Sequence, residues 1–164
     1  MPTEQFKVRI DKEHLVFCCG HFISYRGHQC ERLHGHNYRV AVEVDGPLDE
    51  NQYVIDFIAL RDELKTITDQ LDHHMLLPTG HPLLRVTAGE REVEVVFTPD
   101  NRRWIFPRGD CVILPIANTT AELLANYIGQ QLLAAIHRRT GQRPSRLQVA
   151  VDENHGQWGV CELP

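Results

Sequence analysis

The chain lacks any apolar run of the ~20 residues needed to span a bilayer. Its first ten residues, Met1 to Ile10, alternate charged with apolar side chains and so do not form the apolar stretch of a signal peptide. Cytoplasmic residence and no membrane association are the resulting expectations. Cysteine is sparse and odd in number, with five residues (Cys18, Cys19, Cys30, Cys111, Cys161) at no framework spacing. Adjacent Cys18 and Cys19 would face opposite sides of a strand, so all five are read as reduced thiols. An excess of positive charge is also missing. A formal net charge of -5 argues against broad nucleic-acid binding while leaving room for a local basic pocket. With no repeat, linker or low-complexity stretch, the 164 residues, 42% hydrophobic and 24% charged, read as one globular domain covering 1–164.

What the sequence does have is ten histidines. Their setting follows from the periodicity. Phe6 to Phe17 and Tyr38 to Asp45 read as an antiparallel strand pair, the second with Tyr38, Val40, Val42 and Val44 on one face. From Asp56, a plausible N-cap, apolar residues recur at three and four (Phe57, Leu60, Leu64, Ile67, Leu71, Met75), which predicts a helix ending before Pro78. Val93 to Thr98 and Trp104 to Phe106, joined by Pro99-Asp100-Asn101, predict a hairpin, and Val112 to Leu114 a further short strand. A second helix is expected from Thr119 to about Arg139, with Gly141 beyond its end. Leu147 to Val151 and Trp158 to Leu163, around Asn154-His155-Gly156, predict a final strand pair. The order ββ-α-(β-hairpin)-α-ββ fits an α+β domain whose antiparallel sheet carries both helices on one face.

His34-Gly35-His36 stands just ahead of an alternating strand, so both imidazoles should leave one face about 7 Å apart along the chain and converge on one ion. His21, at the end of the preceding strand, would lie beside them. Three histidines leave one tetrahedral position open, the arrangement of a catalytic zinc; surface or capping histidines share the pattern. Cys30, four residues before His34 and close to Arg26, His28 and Arg32, would have its pKa lowered by those cations and a nearby Zn²⁺ and act as base or nucleophile, or else be an inert thiol. Asp72-His73 closes the first helix, where an aspartate orients a proton-transferring imidazole or a histidine simply meets the helix dipole. Thr119-Thr120-Ala121-Glu122 has the form of a capping box, so Glu122 has a purely structural explanation as well. Glu153, at a turn, offers a carboxylate to two parallel N–H donors or to solvent.

Taken together, Cys30 to Asn37 (Cys-x-x-x-His-Gly-His-Asn), the earlier His21, Leu71-Asp72-His73, Thr120-x-Glu122 and the late Glu153 resemble the 6-pyruvoyl tetrahydropterin synthase / 6-carboxytetrahydropterin synthase family over nearly the whole chain. The resemblance implies a tunnelling fold and a homo-oligomer, a hexamer, with active sites at subunit interfaces. It implies zinc on His21, His34 and His36, Cys30 as the proton-abstracting thiol, and Asp72 with His73 as a partner dyad. Glu153 would anchor the pterin, assisted by Glu122 and Thr120. The implied substrate is 7,8-dihydroneopterin triphosphate. The three-residue spacer between Cys30 and His34 resembles the carboxy-producing branch of queuosine biosynthesis, which releases acetaldehyde and triphosphate; the 6-pyruvoyl branch and a non-catalytic zinc-stabilised module are the alternatives. Arg26 and Arg32 are candidates for the triphosphate. Two features depart from the family pattern: the segment from about 81 to 111, read as an inserted hairpin, and Cys18-Cys19-Gly20 before the first histidine.

Overall fold

The computed structural model describes residues 4–164. β1 (Phe6–His21) leads through two-residue strands β2 (Ser24–Tyr25) and β3 (Gln29–Cys30) into β4 (His34–Gly46), and helix α1 (Phe57–Leu71) follows. Next come β5 (His74–Pro78), β6 (Leu84–Ala88), β7 (Glu92–Phe97), β8 (Arg102–Pro107) and β9 (Cys111–Leu114). Helix α2 (Ala121–Thr140) then precedes β10 (Arg146–Asp152) and β11 (Trp158–Leu163). The main sheet has the order β11-β10-β4-β1-β5-β9, while β6, β7 and β8 form a separate antiparallel sheet. The four strands from β11 to β1 are antiparallel as expected, but β5 joins β1, and β9 joins β5, in parallel.

Both helices lie on one face of the main sheet. Leu60, Leu64, Ile67 and Leu71 of α1 and Leu124, Ile128, Leu132 and Ile136 of α2 share a core with Val40, Val42, Val44, Leu147, Val149 and Val151. Asp56 caps α1 as its position foretold, its Oδ1 accepting from Ile58 N at 2.7 Å. The helix stops earlier than the periodicity implied. Met75 lies in β5, because His73 N donates to Cys18 O at 2.6 Å and His74 pairs with Cys19, so the chain joins the sheet instead of completing another turn. The cap of α2 also differs from the sequence reading. Thr120 accepts from Leu123 N, and Thr119 instead turns its hydroxyl to Phe22 O, so no capping box forms between Thr119 and Glu122. Gly141 ends α2 at φ 73°. The segment predicted as a hairpin is a three-stranded sheet, since β6 pairs with β7. Its buried face (Leu84, Val93, Val95, Phe97) forms a second core with Phe22, Cys30, Met75 and Leu77.

The first turn of α2 presses directly on β11. A Cβ at Gly159 would fall 2.5 Å from Ala121 C and from Glu122 N, so backbone meets backbone there with no flexible group to yield. Gly159→Ala should therefore destabilise the protein by about 1–3 kcal/mol through overpacking. Urea denaturation should show a lower midpoint at an unchanged slope.

Candidate active site

The two longest strands decide which way His21 points. Before residue 11 the pairs are Val8 with Val44 and Ile10 with Val42, even-numbered on both strands and facing the helices. Lys12, Glu13, His14 and Leu15 then span a gap that Val40 alone fills on β4, and pairing resumes at Val16 with Arg39. The surplus is odd, so the inward set on β1 switches to Leu15, Phe17, Cys19 and His21. His21 now stands directly opposite His34, and Cys19 opposite His36. All three imidazoles share the helix-facing side, with ring centroids 4.7, 4.9 and 5.3 Å apart. Gly35 permits this closeness, because a Cβ there would lie 2.9 Å from Cys19 O.

The ring nitrogens are already sorted for metal binding. His21 Nδ1 donates to Thr119 O at 3.0 Å and His34 Nδ1 to Arg32 O at 2.8 Å, which leaves each Nε2 as an acceptor, that of His21 with the Tyr38 hydroxyl 3.2 Å away. One ligand atom from each of the three residues lies within 4.8 Å of the other two. Burial lowers the pKa of His21, with the Thr119 carbonyl opposing, so the neutral form that binds metal is favoured. The donor set fits one tetrahedral ion with an open position.

Two carboxylates flank the triad. Glu153 Oε1 lies 3.5 Å from His21 Nε2 and 3.8 Å from His36 Nε2, and accepts from Tyr38 Oη at 3.3 Å. Burial, reinforced by the nearby Cys19 and Glu153, raises the Tyr38 pKa well above its usual value, so the phenol remains a donor. Glu31 approaches from the other side, its Oε2 3.8 Å from His34 Nε2. Glu31 and Tyr38 were missed in the sequence. The two-residue period from His36 marks Tyr38, and the spacing of three to His34 marks Glu31. Asp152, also missed, accepts from Gly156 N and Gln157 N and so holds the turn that carries Glu153. Glu153, Thr120, Glu122 and Trp158 line one cavity of about 370 Å³; Glu153, His36 and Arg39 line a second of about 720 Å³. Thr120 and Glu122 thus share a cavity with Glu153.

Cys30 lies at the entrance of the loop but turns its side chain into the second core. Burial pushes the Cys30 thiol up, and Arg102, from the three-stranded sheet, is the cation opposing it, in place of Arg26 or Arg32. Asp72 and His73 are paired at 2.8 Å, and Asp72 also accepts from Cys18 N at 2.7 Å. That Cys18 bond, then His73, holds the Asp72 carboxyl below its ordinary range. His73 adopts φ 58° and leaves its side chain 82% exposed, and among the described residues no hydrogen bond, ion pair or ring contact joins it to the three histidines. Arg26 (φ 50°) occupies the β2–β3 turn, and Arg32 contributes its carbonyl to His34.

Residues 9–163 match the family model of 6-pyruvoyl tetrahydropterin synthase. A protein of Methanocaldococcus jannaschii provisionally named 6-carboxy-5,6,7,8-tetrahydropterin synthase is 31% identical over 94% of this chain and 88% of its own. Among solved structures, 6-pyruvoyl tetrahydropterin synthase from Plasmodium falciparum superimposes with a TM-score of 0.89 at 30% identity, covering 98% of this chain and 99% of its own. The same TM-score and coverage, at 29% identity, hold for a Plasmodium vivax 6-pyruvoyltetrahydropterin synthase in which a catalytic glutamate is replaced by alanine. These matches extend across the β6–β8 sheet.

The triad should hold one divalent metal ion per protomer, and His34→Ala or His36→Ala should abolish it, since two imidazoles do not retain such an ion tightly. Metal analysis after dialysis against zinc checks this. In the metal-free protein the lowered His21 pKa works against stability in acid: nothing is lost above the 6.5 of a free imidazole, and stability drops as pH falls from there through the folded value. Thermal unfolding at pH 7.5 and 5.5 should show a smaller difference in metal-free His21→Asn than in the metal-free wild type.

Proposed function

The chain belongs to the 6-pyruvoyl tetrahydropterin synthase family, and on that premise we propose that it converts 7,8-dihydroneopterin triphosphate and water to 6-carboxy-5,6,7,8-tetrahydropterin, acetaldehyde and triphosphate. The observation that carries this reading is the three-histidine cluster with Glu153 on one side and the Cys30-Glu31 loop on the other. Zinc held by His21, His34 and His36 would supply a Lewis acid for the hydroxyls of the substrate side chain.

The protein's own groups divide the remaining work. The Glu153 carboxylate is the acceptor for the amino group and ring N–H on one edge of a pterin, two parallel donors for two oxygens. Thr120 and Glu122, in the same cavity, border the ring. Cys30, and Glu31 beside it, are the candidates to move protons on and off the side chain. The raised thiol pKa favours the carboxylate as resting base, with Cys30 becoming competent once a cationic site is assembled. Asp72 and His73 form a second proton-transfer pair. The exposure of His73 supports a site completed by another copy of the chain in a homo-oligomer, a hexamer in this reading.

A second reading, retention of the whole side chain as 6-pyruvoyl tetrahydropterin, is favoured by the approach of Glu31 to His34 and by the catalytic glutamate of the Plasmodium vivax enzyme. The base that acts decides which bond breaks, because catalysis depends on near-attack geometry at about 3–3.5 Å. Incubation with 7,8-dihydroneopterin triphosphate and trapping of the volatile aldehyde separates the readings. Acetaldehyde with triphosphate is the expected result; triphosphate alone places the enzyme in the pyruvoyl branch, and neither points to a non-catalytic module. Glu153→Gln should weaken binding of a pterin analogue by roughly 10-fold or more with metal content unchanged, since an amide presents one acceptor and a mismatched donor to two N–H groups. Titration calorimetry measures this, and an unaltered Kd would remove Glu153 as the anchor.

A further inference from the structure

The segment between His21 and His34 carries both proton-transfer candidates, yet it has little structure of its own. Its two strands are two residues each, Ser24 pairing with Cys30 and Tyr25 with Gln29, with one further backbone bond from Glu31 N to Ile23 O at 2.9 Å. A hairpin of this size is marginal in isolation.

The loop before α2 holds its first residues, Thr119 Oγ1 donating to Phe22 O at 3.3 Å and Asn118 Nδ2 to Ser24 O at 3.1 Å, and the β6–β8 sheet holds it at both ends. The Phe22 ring, next to metal ligand His21, stacks on Trp104 with centroids 4.5 Å apart and planes 19° apart. At the other end of the hairpin, Arg102 Nη2 donates to the Cys30 carbonyl at 3.1 Å. The guanidinium is itself fixed, its Nε donating to Asp100 Oδ2 at 2.6 Å and its Cζ lying 5.4 Å from the Phe97 ring and 5.7 Å from Trp104. His81, at the foot of this sheet, hydrogen-bonds Ser24 Oγ. The Cys30 side chain packs in the same core as Val93, Val95 and Phe97.

We propose that the β6–β8 sheet is a positioning element for residues 22–33, and that Arg102 is the positioning residue through which it holds the Cys30–Glu31 peptide, and so Glu31 beside His34. The contacted carbonyl belongs to the peptide joining Cys30 to Glu31, so a shift there displaces thiol and carboxylate together. Arginine suits the task because its planar fork reaches Asp100 and the Cys30 carbonyl at once, whereas lysine offers a single point of donation. The kinetic part of this inference rests on the pterin-synthase reading; the structural part stands without it.

The test uses zinc-loaded wild type, Arg102→Met, Arg102→Lys and Trp104→Leu. Hydrogen exchange is compared for peptides spanning residues 23–33 and for β10, and turnover is measured with 7,8-dihydroneopterin triphosphate. In Arg102→Met, exchange should quicken in 23–33 and stay unchanged in β10, with zinc content intact. Its kcat should fall roughly 10- to 100-fold, the scale of an ångström-sized misplacement, while KM changes less than about threefold. Arg102→Lys should recover part of kcat, and Trp104→Leu should loosen the same segment. Unchanged exchange in 23–33, an equal rise in β10, or a loosened segment with full kcat would each overturn the proposal. Absence of turnover in the wild type would refute the functional reading, and the exchange comparison would still decide this one.

Discussion

Between Asp11 and Val16 the pairing of β1 with β4 slips, and the site depends on the parity with which it resumes. A side chain on a strand has two choices of face, so an even surplus would have sent His21 to the side that Cys18 and Gly20 now occupy. The odd surplus places it against His34 and His36. The same switch stacks Phe17 on Tyr38 at 4.9 Å, closing the floor beneath the histidines and holding the Tyr38 hydroxyl at 3.3 Å from Glu153. Gly35 completes the arrangement by letting the two strands approach where any side chain would strike the Cys19 carbonyl.

Around this pairing the charge is arranged by burial and by backbone carbonyls. The Thr119 carbonyl engages His21 Nδ1, and Thr119 is held there by its hydroxyl, which donates to Phe22 O. The close seating of α2 on Gly159 therefore bears on the site as well as on the core, since the residues just before the helix support His21 and those of its first turn line the cavity shared with Glu153. Acidic side chains stand on both flanks of the imidazoles, so positive charge brought by a metal would be met by Glu31 and Glu153 without rearrangement of the strands.

Much of the fold could be read in advance because it rests on local chemistry. Asp56 caps its helix, Gly141 ends the second, and the turn at Asn154 to Gly156 joins β10 to β11 where expected. The misreadings share one cause. Met75 continues a helical period by residue type, yet pairing with β1 draws it into a strand; Thr119 fits a cap by spacing, yet Phe22 O takes its hydroxyl. In each case a partner distant in sequence competed with a local rule and prevailed.

The sequence alone supplied the candidate donors. His34-Gly35-His36 with one more histidine could be named from residue type and spacing, because metal chemistry restricts which side chains serve, whereas Asp72-His73, Glu153 and Cys30 drew their roles from the resemblance to the family. Tertiary structure alone decided how those donors are disposed. The odd bulge in β1 turned His21 inward, the second core buried the Cys30 thiol and raised its pKa, and Glu31 emerged beside His34. Register, burial and proximity are properties of pairs of segments brought together, and neither segment carries them by itself.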